Sequence, residues 1–210
     1  DIASASDINI DDISSTHTTL NIQGDADATI GTDAAISTKT IDASTSTGDL
    51  TIELAAAAHT VTTGSGADSV DFNQTLGSTD TYDGGAGSDT MSATMVAGTH
   101  TPTVKNVEKL KLAYTAASSY NASKTTGATE VYVLAASDNN LTVTNMPETI
   151  VTTYLSSTAT DASDTVTLNY ASGADSAHTV KIGDTADTAD VDTSDVTITN
   201  NKGALTITSE

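Results

Sequence analysis

Cysteine is absent from the 210-residue chain, and with it go disulfides, thiolate chemistry and cysteine-ligated zinc or iron–sulfur centres. Arginine is absent too. The seven cations are all lysines, set against 28 acids for a formal charge of -21. With no guanidinium fork and no basic field, nucleic acid is excluded as an expected partner. Tryptophan is missing, phenylalanine occurs once and aromatics make up 3% of the chain. A thick globular core is hard to build from that, whereas a thin core repeated along an axis is not. No hydrophobic run is long enough to cross a bilayer, and AAAA at 55–58 is far too short, so the chain is not expected to span a membrane. Asp1 opens the sequence without a signal-peptide pattern, which reads as a mature product or a piece of something longer.

Short apolar–polar–apolar segments fill much of the rest. They include INI (8–10), LNI (20–22), ATI (28–30), KTI (39–41), LTIEL (50–54), HTV (59–61) and VDF (70–72). After a gap come KLKL (109–112), EVYV (130–133), LTV (141–143), TIV (149–151), VTL (166–168), TVKI (179–182), VTI (196–198) and LTI (205–207). Alternation of this kind is strand period two with one face buried, and threonine suits the exposed position because it is β-branched and polar. The segments recur about every ten residues, so a pair makes a coil of roughly twenty, the beat of a solenoid. The expected fold is therefore all-β, a parallel β-solenoid of the β-helix or β-roll kind. An antiparallel sandwich has a similar strand spacing but favours larger core residues, and high charge with few aromatics is also the signature of disorder. Residues 113–124 are the best helix candidate, and 93–104 read as a connector. The chain divides into Thr/Ala-rich coils at 1–62, a glycine-rich segment at 63–92 and further coils at 93–210.

That middle segment carries the most specific pattern. Gly84–Ser92 reads GGAGSDTMS, of the form G-G-x-G-x-D-x-U-x with U apolar, and Thr63–Asp71 reads TGSGADSVD, differing only at its first position. Glycines allow positive φ and bring backbone carbonyls inward. Aspartate supplies a short carboxylate, and Val70 or Met91 anchors the strand that follows. Calcium takes six to eight oxygens, which two stacked loops can supply and one cannot. The loops start 21 residues apart, with a degenerate loop ending in Asp80 between them, so Asp68 and Asp89 are expected on one edge of adjacent coils. Their carboxylates, with carbonyls around Thr63, Ser65, Gly84 and Ala86, are the expected ligands of one Ca2+. A second, weaker site would use Asp80 on the other edge with Asp83. The echo SGADS at 172–176 and the acids Asp184, Asp187, Asp190, Asp192 and Asp195 read as a solvated acidic loop, with a low-affinity calcium site as the alternative.

On these two nonapeptides the chain resembles secreted calcium-binding repeat proteins of the RTX group. The Thr/Ala/Asp-rich background, the lack of cysteine and the phrase VEKLKL at 107–112 resemble the bacterial surface-layer proteins of that group. The resemblance implies export by a type I system, calcium-driven folding outside the cell and self-association into a lattice at the cell surface. It also implies attachment to a surface glycan or lipopolysaccharide through another part of the protein. An alternative is a calcium-dependent adhesin or other non-catalytic module.

Enzyme motifs are missing. The histidines at 17, 59, 100 and 178 are scattered, and neither H-E-x-x-H nor G-x-S-x-G occurs. His59 reads as a surface residue, and Asp11-Asp12 as two acids among many. Lys105, Glu108, Lys109 and Lys111 fit the solvent face of a strand with Leu110 and Leu112 beneath. Tyr114, Tyr120, Tyr132, Tyr154 and Tyr170 fit either half-buried strand positions or an interface.

Overall fold

The computed structural model describes residues 8–10, 17–31, 35–55, 57–74, 76–135, 139–157, 164–182 and 193–209. The first strands are β1 (Ile8–Ile10), β2 (Thr19–Gly24), β3 (Ala28–Ile30), β4 (Thr40–Ser46), β5 (Leu50–Glu53), β6 (Thr60–Thr62) and β7 (Ser69–Asp71). They are followed by β8 (Thr81–Asp83), β9 (Thr90–Met95), β10 (Gly98–His100), β11 (Thr103–Lys105), β12 (Lys109–Tyr114) and β13 (Ser118–Asn121). The last are β14 (Glu130–Ala135), β15 (Leu141–Met146), β16 (Thr152–Ser157), β17 (Asp164–Ala174), β18 (His178–Ile182), β19 (Thr193–Asn201) and β20 (Leu205–Ser209).

Every described pairing is parallel, because each coil brings the chain back in the same direction one strand further along. A long sheet runs β1-β3-β5-β7-β9-β12-β14-β16-β18-β20. A side sheet in the order β11-β8-β6-β4-β2 covers the first half, and another, β10-β13-β15-β17-β19, covers the second. This is a parallel β-solenoid. The long sheet crosses the borders at 62/63 and 92/93 without a break, and the side sheets exchange between β10 and β11. Coil length follows the expected beat early: Thr51 lies beside Ser69, 18 residues on, and Ser69 beside Thr90, 21 on. Later coils lengthen, with Thr152 beside Thr179, 27 on.

The core is the thin strip that period-two alternation predicts. Ile30, Ile52, Val70, Met91, Leu110 and Val131 stack in one inward row of the long sheet, each at most 1% exposed. Each such side chain contributes about 1.5–3 kcal/mol by leaving water. The row continues to Thr153, whose buried hydroxyl is satisfied by His178 Nε2 at 3.1 Å. Leu110 and Leu112 are fully buried beneath Lys109 and Lys111, as the alternation requires.

Three expectations are corrected. Residues 113–124 form no helix longer than a 3-10 turn at Ala122–Lys124; the remainder ends β12 and forms β13. Tyr114 and Tyr120 drive this, since both are fully buried and follow half-buried neighbours in strand alternation. The stretch 93–104 is no bare connector, because it finishes β9 and forms β10 and most of β11. His59 is not on the surface. It is 1% exposed, with Nδ1 2.9 Å from the Thr38 carbonyl and Nε2 2.9 Å from that of Ala55. Among the described residues no helix is long and apolar enough to cross a membrane. Asp11, Asp12, Asp184, Asp187, Asp190 and Asp192 lie outside the described residues.

Candidate metal centre

The corner that leads from the first side sheet into the long sheet is built from stacked glycine bends. Gly48, Gly66 and Gly87 sit one above another, so close that a Cβ on Gly66 would lie 2.3 Å from the Gly48 carbonyl oxygen and one on Gly87 2.0 Å from that of Gly66. Gly85 and Gly87 also have φ of +81° and +139°, which side chains oppose. The bends are tied coil to coil: Ser65 N donates to the Ser46 carbonyl at 3.0 Å and Ala86 N to that of Gly64 at 2.8 Å. Gly48-Asp49 is therefore a further bend of the same stack, which sequence reasoning missed. Its signal was a Gly-Asp pair immediately before LTIE, 18 residues ahead of the next such strand.

Each bend ends in an acid, and each acid fastens a neighbouring coil. Asp27 Oδ1 accepts from Asp49 N at 2.8 Å, and Asp49 Oδ1 accepts from Ala67 N at 2.7 Å. Asp68 Oδ1 accepts from Leu50 N and Asp89 Oδ1 from Asp68 N, both at 2.8 Å. Glu108 Oε2 accepts from Asp89 N at 2.7 Å. The result is a column of carboxylates, one per coil, along one edge of the rod. Asp27 and Asp49 are exposed, Glu108 is partly buried, and Asp68 and Asp89 are 1% and 0% exposed.

Asp68 and Asp89 thus stand on adjacent coils of the same edge, joined by a hydrogen bond. Only one oxygen of each is used. Oδ2 of Asp68 and Oδ2 of Asp89 are buried without a hydrogen-bond partner, and so is the hydroxyl of Tyr82 beside them. Thr63 Oγ1, close by, gives its hydrogen to the Gly84 carbonyl at 2.9 Å, so it is not available to Asp68. An ionised carboxylate oxygen buried without a donor costs several kcal/mol on the scale of ~1–3 or more per lost bond. Desolvation accordingly pushes Asp89 up to about 7, against the Asp68 N–H that lowers it, and the Asp68 and Glu108 charges add to the rise. Asp68 is raised by the same burial. Tyr82, walled in beside these acids, is raised as well.

Such a site fits a hard cation. Two carboxylate oxygens and a phenolic oxygen lack partners, and the Thr63 carbonyl faces the bend below, 2.8 Å from where a Gly85 Cβ would stand. Among the described residues no group of three or more His, Cys, Asp or Glu side chains is arranged to hold a metal, so backbone oxygens would have to complete any shell here. Of the expected ligands, Thr63 and Gly84 are buried in this corner, while Ser65 and Ala86 lie exposed on its outer rim. Asp83 belongs to the same edge, where its Oδ1 accepts from Asn106 Nδ2 at 2.8 Å. Asp80 stands at the opposite end of β8 and caps another bend: Oδ1 accepts from His59 N at 2.7 Å and Oδ2 from Gly77 N at 2.6 Å. Both its oxygens are taken, and it does not meet Asp83. Compared with known proteins, the chain matches no family model, no curated protein and no solved structure.

Proposed function

We propose that this chain is a non-catalytic structural segment of a secreted, surface-layer-like protein, ordered by calcium and assembling with copies of itself outside the cell. The observation that carries the reading is the buried Asp68–Asp89 pair, two carboxylates on stacked bends with one unpartnered oxygen each. Without a cation that corner is an electrostatic fault in a rod of charge -21. With calcium it becomes a clamp between coils, and the binding energy adds to folding because the unfolded chain offers no preformed oxygen cage. Low free calcium would leave the corner loose during export, and millimolar calcium outside would set it. The non-catalytic part of the reading is supported by the histidines: His59, His100 and His178 are buried, with ring nitrogens against backbone carbonyls or hydroxyls.

Calcium added to metal-free protein should release or absorb heat with saturation, and should slow amide exchange across 63–92 and at Gly48–Leu50. Chelation should reverse both. Unchanged protection of these bends in saturating calcium removes the reading.

A further inference from the structure

We infer that the outer face of the long sheet, around β9, is a self-contact at which two copies of this chain meet face to face with their rod axes antiparallel. One outward row of that sheet reads, strand by strand, Glu53, Asp71, Ser92, Lys111, Tyr132, Tyr154, Lys181. All of these are exposed or half-buried. The row is acidic at one end and basic at the other, with Ser92 at the change of sign. A two-fold axis lying along β9 maps the row onto itself reversed. It sets Asp71 against Lys111 of the second copy, Glu53 against the second copy's Tyr132, and Ser92 against Ser92. Because the operation is symmetric, each ion pair forms twice.

Other features of the face agree. Asp71, Ser92, Thr94, Lys111, Ala113 and Leu134 line a shallow groove beside the axis, and Leu134 is 36% exposed. Tyr132 and Tyr154 lie with ring centroids 4.3 Å apart and planes 4° from parallel, and Lys181 Nζ caps the stack 4.9 Å from the Tyr154 ring. The face is thus stiffened before any partner arrives, which lowers the ordering cost of docking. An anionic glycan suits it less well, since a polyanion lying along the row would run into Glu53 and Asp71. A partner whose charges invert along the same row suits it, and a reversed copy of this chain is one. From strand spacing, the β5–β14 footprint spans about 24 Å along the axis and covers roughly 400 Å² per copy. That is about half the area of a standard stable interface, so the contact is weak by itself and suited to a lattice in which many add up.

The inference rests on the lattice reading for its use in the cell, but not on the cation. Sedimentation at high protein concentration and physiological salt tests it, in calcium and again in chelator. Wild-type chain should self-associate, and Lys111→Glu and Asp71→Lys should each weaken association about tenfold or more. An equimolar mixture of the two variants should recover it, because each restores the other's ion pairs. Asp71 also accepts from Asn73 N at 2.7 Å, a local bond that its variant loses, so Ser92→Cys supplies a readout that leaves this bond in place. Sheets facing each other lie about 10 Å apart, within reach of a short bismaleimide, so S92C should cross-link to dimer while Thr29→Cys, on the same face but off the axis, should not. Wild type that stays monomeric, variants that associate like wild type, or equal cross-linking of both cysteine variants overturns the contact. So does binding of an anionic polysaccharide through Lys111 in place of self-association. Absence of heat on adding calcium, with association intact, overturns the cation reading alone.

Discussion

At the scale of single residues, the corner is decided by what Asp89 does with its charge. It is fully buried, keeps one oxygen for Asp68 N and leaves the other without a donor. Its carboxyl is raised in the folded state to about 7 from an ordinary 3.8, chiefly by desolvation. A raised carboxyl means that the metal-free fold holds a proton the unfolded chain has lost, so the stability that Asp89 contributes is full below about pH 4 and is lost as pH rises toward 7. Asp89→Asn keeps an acceptor for Asp68 N and removes the buried charge. In chelator at pH 7.5 its urea midpoint should lie above wild type. In calcium the order should reverse, because the variant forfeits the cation's contribution, about 2.7 kcal/mol at a hundredfold excess over the dissociation constant. Equal calcium gains in both proteins would refute the assigned role. The spacing of two Gly/Asp bends was enough to place Asp68 and Asp89 together. Tyr82 was not legible as a member of the corner, since a tyrosine two residues before a bend reads only as a strand apolar, and its nearness to the charges of Asp68 and Asp89 comes from the stacking of coils rather than from sequence order.

At the scale of elements, strands announced by Ile, Val or Leu alternating with Thr were legible, because burial on one face is the whole reason they form. β10 (GTH), β11 (TVK) and β13 (SSYN) were not, since a three- or four-residue strand with at most one apolar or aromatic inward side chain carries almost no pattern. They exist because the neighbouring coil offers a backbone to pair with. Buried histidine was equally hidden. His178 opens β18 with Nε2 3.1 Å from Thr153 Oγ1 of β16, and Nδ1 faces the Tyr170 hydroxyl of β17 and the Ile150 carbonyl. All of these partners are neutral, and burial lowers His178 from its ordinary 6.5 against the opposing pull of the Ile150 carbonyl. Its neutral ring belongs to the fold, so the stabilisation is complete above about pH 6.5 and is lost as acid protonates the unfolded chain first. Protection factors across β16 and β18 should therefore fall between pH 7.5 and 5.5, and His178→Gln should flatten that fall. The metal-free Asp68–Asp89 corner should move the other way over the same range. A decline shared evenly by both regions would show that His178 is not its source.

At the scale of the whole molecule, a rod with an excess of 21 negative charges and a core one side chain thick is held by neighbour-to-neighbour terms, so its coils need not open together. Screening by salt and the calcium binding proposed above would act on such a rod with different shapes. Monovalent salt shortens the screening length from about 10 Å at 0.1 M to 3 Å at 1 M and relieves repulsion wherever acids face water, including Asp25, Asp27, Asp42 and Asp49. That benefit is spread along the exposed edge. It does little for Asp68 and Asp89, whose difficulty is the lack of hydrogen-bond partners for buried oxygens, which screening by the surrounding solution does not supply. Calcium should act in the reverse manner, strongest at the bends of 63–68 and 84–89 and fading over one or two coils to each side, because the coils are joined there by Asp49, Asp68, Asp89 and Glu108. Residue-resolved hydrogen exchange in 1 M sodium chloride with chelator, set beside low salt with millimolar calcium, separates the two. The expected result is a broad, shallow gain in the first condition and a peaked gain centred on the two bends in the second. If concentrated sodium chloride reproduces the peak, the corner responds to ionic strength alone, and the -21 charge rather than a bound divalent ion governs how this solenoid is stabilised.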